Sequence, residues 1–179
     1  MSSEAPVCFP IRPLIRWSIL GLYTTLVLPL VVFAGSWAWS GAGLMLLGSV
    51  VGGWLLLGLL SQRVWVTPEG MWADYPGWVP GWLQQCWSVA WDDVVEAEAA
   101  TTAQGGLVYY LLTRSGSRIL IPLRVAGLGK LLAAIAHFTG IPTAEMRPYV
   151  QTWMYGGISL GAGLMALVDV WLLQLVLYT

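Results

Sequence analysis

The chain has 179 residues, a formal net charge of −1, and only 9% charged residues against 58% apolar ones, twelve of them tryptophan. A near-neutral, charge-poor chain has no basic face with which to neutralise phosphates, which argues against nucleic acid as a partner. So much apolar surface is more than one small water-soluble domain can bury, and it implies membrane spans. Tryptophan points the same way, because its ring settles where hydrocarbon meets water.

In chain order, residues 1–16 read as a short cytoplasmic tail carrying Arg12 and Arg16. No small-x-small cleavage site follows the first apolar run, and a second run comes almost at once, so an uncleaved transmembrane hairpin is expected over 17–60. Its first span, "WSILGLYTTLVLPLVVFAG" (17–35), is uncharged. At ~1.5 Å per residue it reaches ~28 Å, about one hydrocarbon thickness. Pro29 is placed to kink it. "SWAWS" (36–40) is a tight reversal with Trp37 and Trp39 at the headgroups, and "GAGLMLLGSVVGGWLLLGLL" (41–60) returns to the starting side. A soluble module is expected over 61–147 and a third transmembrane helix over 148–179, spanning from about Thr152 to Tyr178.

Between the second and third spans the sequence alternates in the manner of short strands. "RVWVT" leads through "PEG" to "MWADY"; "WSVAW" and "VVEAEAA" follow, then "LVYYLLTR" and "RILIPL", joined by the turns "QGG" and "SGS". A helix is predicted from Leu128 to Thr139, with Leu128, Leu131, Leu132, Ile135 and Phe138 on one stripe and Gly140 as its stop. The predicted class is an α+β membrane protein: a small antiparallel sandwich or half-barrel closed by an amphipathic helix, set between a transmembrane hairpin and a third span. All eight Lys and Arg fall on segments that this topology puts on one side of the membrane. The positive-inside rule makes that side cytoplasmic, or stromal in a photosynthetic membrane.

The stretches "VTPEG" (66–70), "VAWDDVVEAE" (89–98), "LLTRSGSRILIPL" (111–123) and the closing helix "LGKLLAAIAHF" resemble the bacterial pleckstrin-homology-like domains found beside transmembrane hairpins. The likeness covers about half the chain and implies a PH-like fold for the module. A narrower set of features is similar to the small photosystem I assembly factor of chloroplasts and cyanobacteria. These are the two N-terminal spans, the Glu-Gly turn, the loop from Trp72 to Gly77, the strand ending in "IPL", and a last helix followed by Ile141 and Pro142. That resemblance implies a part in assembling a photosystem or its intermediates. The third span and the lower charge are departures from that family.

The residues offer little to catalysis. The single histidine, His137, falls with Lys130 on the solvent side of its helix, and Asp92 and Asp93 are adjacent at a strand entry, where neighbouring side chains diverge. No nucleophile or phosphate-loop pattern occurs, and Cys8 and Cys86 form no CxxC pair. We therefore expect no enzyme activity, cofactor or metal. Lipid recognition in the PH manner needs bases in the first hairpin, which here is "VTPEG"; Arg114, Arg118 and Arg124 near a later hairpin offer contacts with anionic headgroups at about 1 kcal/mol each.

Partner binding is better supplied. Asp169 lies within the third span, where a carboxylate costs about 2.5–3.5 kcal/mol at mid-membrane; it should either face protein or lie near the far headgroups, within reach of water. Ala162 and Ala166 share its side of the helix, and Gly48 with Gly52 and Gly157 with Gly161 are each four apart, presenting flat faces for helix contact, within the chain or outside it. Trp78 and Trp82, in a loop broken by Pro76, Gly77, Pro80 and Gly81, read as an amphipathic tip for the headgroup layer or as anchors for a protein. Together these predict a non-catalytic scaffold or assembly factor for a larger membrane complex, in contact with the lipid bilayer and not with nucleic acid. The alternatives are a small transporter or proton-coupled subunit using Asp169, and a lipid-sensing module using the three arginines.

Overall fold

A computed structural model describes residues 5–37, 39–101, 107–143 and 152–178. The chain is α+β and divides into two compact units, one of Met1–Arg12 with Ser61–Val150 and one of Pro13–Leu60 with Gln151–Thr179.

Among the described residues the first unit holds seven antiparallel strands and one α-helix. β1 (Val7–Pro10), β2 (Arg63–Val66), β3 (Gly70–Asp74) and β4 (Trp87–Ala90) form a four-stranded sheet in that order. A 3-10 turn at Trp91–Asp93 leads into the second sheet, β5 (Val94–Thr101), β6 (Leu107–Thr113) and β7 (Arg118–Leu120). β1 departs from the sequence reading, which gives residues 1–16 as a tail. Four residues ending in proline carry no readable period, and the strand forms because Val7, Cys8 and Phe9 pair with Val66, Trp65 and Val64. Past β1 the chain links to the segment after β7: Ile11 bridges Val125, the Arg12 N–H donates to the Arg124 carbonyl at 3.0 Å, and the Ala126 N–H donates to the Pro10 carbonyl at 2.7 Å. The "QGG" turn lies outside the described residues.

Alternation explains the core. Val64, Val66, Met71 and Val89 from the first sheet share one core cluster with Tyr109, Leu111 and Ile121 and with the helix α3 (Leu128–Thr139). α3 buries Leu128, Leu131, Leu132 and Ile135, the stripe that its period predicts. Each such side chain stabilises by roughly 1.5–3 kcal/mol relative to exposure. Gly140 ends the helix in the left-handed region at φ 70°, its N–H donating to the Ala136 carbonyl, a conformation that costs a residue with a Cβ. Gly70 is required for a different reason. A Cβ there would collide with the Val89 carbonyl oxygen across β3 and β4, so the Glu-Gly turn is fixed by the closeness of the next strand. On that turn rests Trp91, whose indole N–H donates to the Thr67 carbonyl at 2.8 Å.

The described residues of the second unit form three helices, α1 (Pro13–Trp37), α2 (Trp39–Leu59) and α4 (Thr152–Tyr178). Each contains a stretch long and apolar enough to cross a membrane, Pro13–Val32, Gly41–Leu59 and Trp153–Leu175. α1 packs along both of the others. Against α2, the Tyr23 hydroxyl donates to the Ser49 carbonyl at 2.7 Å, and its ring lies over Gly52 and Gly53, which leave it room. Against α4, Ser18 is buried with its Oγ 2.7 Å from the Ser159 Oγ, and Gly21 stands opposite Ala162. The pairs Ser18–Ser159 and Gly21–Ala162 keep one offset while both numbers rise, so α1 and α4 run parallel.

Candidate functional site

The loop between β3 and β4 is built from the inside out. Tyr75 and Val79 are buried and anchor it. The Val79 N–H donates to the Pro76 carbonyl at 3.0 Å, the Leu83 N–H to the Pro80 carbonyl at 2.9 Å, and the Gln84 side-chain amide to the Val79 carbonyl at 2.7 Å. A single 3-10 turn, Gly81–Leu83, crosses the tip. On this internally bonded frame Trp78 is 45% and Trp82 74% exposed, whereas Trp87 turns inward and packs on the core. An exposed indole on an ordered backbone is the kind of side chain that interfaces with protein or headgroups use. At the loop base the Tyr75 phenol has its pKa raised, first by burial and then by the neighbouring Cys86 thiol, with the Gln85 backbone bond opposing.

A second aromatic pair on the same sheet is missed by a reading of the loop alone. Trp65 and Trp72 face each other across β2 and β3, half-buried and stacked at 6.5 Å with planes 16° apart. Cys8 and Ser88 continue their row onto β1 and β4. The signal is in the sequence, since Trp65 lies between Val64 and Val66, and Trp72 between Met71 and Ala73, all four buried. Alternation therefore sends both rings to the outer face.

The helix residues divide. Ala162 and Asp169 are buried at 6% and 7% exposure. Gly52 is covered by Tyr23. The sequence leaves the small residues open to a helix within the chain or outside it, and here Gly52 and Ala162 meet the chain's own α1. Gly48, Gly157 and Gly161 differ: among the described residues nothing comes within 4 Å of where a side chain would stand, and these faces are open. Ala166 is half-buried. Asp169 lies two and three turns along α4 from Ala162 and Ser159, on the side that meets α1, and among the described residues its buried Oδ2 has no hydrogen-bond partner.

Arg114, Arg118 and Arg124 are all exposed, and Arg114 and Arg118 flank the turn between β6 and β7. Arg118 and Glu98 approach to 3.5 Å across the second sheet, both well exposed, a contact worth little in water. Arg114 and Arg124 are exposed, each tied by its backbone, to the Asp93 carbonyl and the Arg12 N–H respectively. His137 and Lys130 are exposed on α3, and Asp92 and Asp93 are exposed in the turn between the sheets. Among the described residues no three His, Cys, Asp or Glu side chains group as metal ligands would. Cys8 and Cys86 are free thiols.

No family profile and no solved structure matches the chain. The uncharacterized protein slr0269 of the cyanobacterium Synechocystis sp. is 39% identical over 150 residues, 82% of this chain and 75% of the relative. A match of that length exceeds either compact unit, so the likeness includes parts of both the helices and the sheets. The chain belongs to the same family as this cyanobacterial protein.

Proposed function

We propose that the protein is a non-catalytic membrane scaffold or assembly factor that grips a larger membrane protein complex. The observation that carries this reading is the braced loop that presents Trp82 to its surroundings. It is reinforced by the open small-residue faces at Gly48, Gly157 and Gly161, which let another helix approach closely. The seven-stranded unit with its closing helix serves as a PH-like platform facing the cytoplasm or stroma. The one-sided placement of the basic residues supports that orientation, and the cyanobacterial relative supports a photosynthetic or plasma membrane as its home. In this mechanism the helices hold a partner's spans while the Trp loop engages its exposed surface, a division that needs no bond-making residue.

Native electrophoresis of membranes solubilised in a gentle detergent tests this. The wild-type chain is expected in a band well above its monomer mass, and Trp82→Ser or Gly161→Leu is expected to move it to the monomer while its thermal transition holds. A wild-type chain that runs alone under every mild condition removes the reading.

The buried oxygen of Asp169, unpartnered among the described residues, favours a second reading, a proton-coupled or ion-coupled subunit. The α1–α4 offset carries Asp169 to the level of Leu28, beside Pro29, whose missing N–H leaves the Thr25 carbonyl outside the helix ladder. Asp169→Asn separates the two readings. It preserves the large complex in the scaffold reading, whereas in the coupled reading it abolishes ion flux in proteoliposomes.

A further inference from the structure

A groove of about 590 Å³ opens in the sheet unit between β1, the end of β2 and α3. Val7, Phe9, Val66, Ala134 and Phe138 give it an apolar floor and walls, and Lys130 and His137 stand at its edge. The cause is local. Lys130, Ala134 and His137 recur at helical spacing on one side of α3, and the small Ala134 leaves a gap between the two basic residues that a leucine would fill. Phe138 cannot swing in to close it. Its ring is stacked on Trp91 at 5.5 Å and meets His137 edge-on at 5.0 Å. Among the described residues no acidic side chain lines the groove; Glu69 follows the lining Pro68 in the turn beyond it, and Glu4, outside the described residues, precedes the lining Ala5 in sequence.

We propose that this groove binds a single-chain amphipathic carboxylate of the fatty-acid class, with its hydrocarbon along the Phe9, Val66 and Ala134 floor and its carboxylate against Lys130 and His137. Three features select that chemistry. The lining is apolar enough to desolvate a hydrocarbon chain, the polar groups at the edge are hydrogen-bond donors suited to an anion, and the volume falls within the roughly 300–1,000 Å³ of small-molecule sites. It is too small for the two acyl chains of a bilayer phospholipid. The proposal is independent of the scaffold reading, because none of its residues belongs to the Trp loop or the open helix faces.

The test uses the full chain in nanodiscs and a palmitate-length fatty acid carrying a photoreactive diazirine, with crosslinked peptides mapped by mass spectrometry. Labelling is expected on residues 5–9, 66–68 and 130–138, and Ala134→Phe is expected to abolish it by filling the groove. Lys130→Glu, at an exposed position that leaves folding intact, is expected to lower labelling about tenfold, the loss of one charge-assisted contact. Equal labelling of the groove by the matching neutral amide would overturn the carboxylate assignment. Equal labelling by a diazirine phosphatidylcholine would make the occupant a bilayer lipid and overturn the single-chain assignment, and undiminished labelling of both variants would overturn the site itself.

Discussion

Tyr75 shows how a single residue holds the surface that the protein offers. Its phenol is buried at the base of the Trp loop beside Cys86 and the Gln85 backbone, and its pKa is raised chiefly by that burial. A raised pKa means that the folded state favours the neutral phenol. The stabilisation is therefore complete below the unfolded value of about 10 and is lost as the pH rises through the folded one. Spectrophotometric titration of the wild type minus Tyr75→Phe should isolate one tyrosine with a midpoint above 10, and above that pH only the wild type should lose order in its loop. A midpoint at or below 10 would mean that the phenol is not shielded. The sequence points to this loop through its prolines, glycines and tryptophans, but it does not single out Tyr75 or Val79. Anchoring depends on which residue turns inward, and a broken backbone has no period from which to read that.

At the scale of elements, periodicity is legible wherever one face is buried and the other is wet. α3 begins and ends where its stripe and Gly140 put it, whereas β7 stops at Leu120, three residues short of the strand expected over "RILIPL". The membrane helices are a different case, because lipid is as apolar as a core and hydropathy marks their length without telling which face meets another helix. Asp169 and Ala162 could thus be assigned to an outside helix from sequence, while the structure turns them toward the chain's own α1. The α1–α4 seam is a close approach of small residues, with the Ser18 hydroxyl near both the Ser159 hydroxyl and the Tyr155 carbonyl. Replacing Ser18 by Ala leaves the Ser159 hydroxyl without that partner and should cost about 0.6–1.7 kcal/mol. Gly21→Leu forces a branched side chain against Ala162, 3.9 Å from where even a Cβ would stand, and should cost about 1–3 kcal/mol. Unfolding in graded sodium dodecyl sulfate should therefore rank wild type above Ser18→Ala and Ser18→Ala above Gly21→Leu. A Gly21→Leu chain as resistant as the wild type would show that the seam does not hold the bundle.

Across the whole molecule, the strand hardest to foresee is the one that ties the chain's start into the sheet unit. β1 precedes the first two membrane helices in sequence, yet its partner β2 follows them, so the sheet cannot be completed until both helices have been made. Such a non-local pairing leaves no trace in a short window of sequence. It also constrains topology: residues on both flanks of the α1–α2 hairpin must lie on the same side of the membrane for β1 and β2 to pair, which agrees with Arg12, Arg16 and Arg63 sharing that side. The orientation that we propose from the positive-inside rule, with the sheet unit in the cell interior, has a native probe, since Cys86 is exposed beside the Trp loop. In a bacterial host expressing the Cys8→Ser chain in its plasma membrane, a membrane-impermeant maleimide should leave Cys86 unmodified in intact cells and react with it fully once they are opened. Gly41→Cys, placed at the opposite end of the hairpin in a chain lacking both native thiols, should react from outside without lysis. Modification of Cys86 in intact cells would reverse the orientation, and with it the cytoplasmic or stromal surface on which the scaffold reading depends.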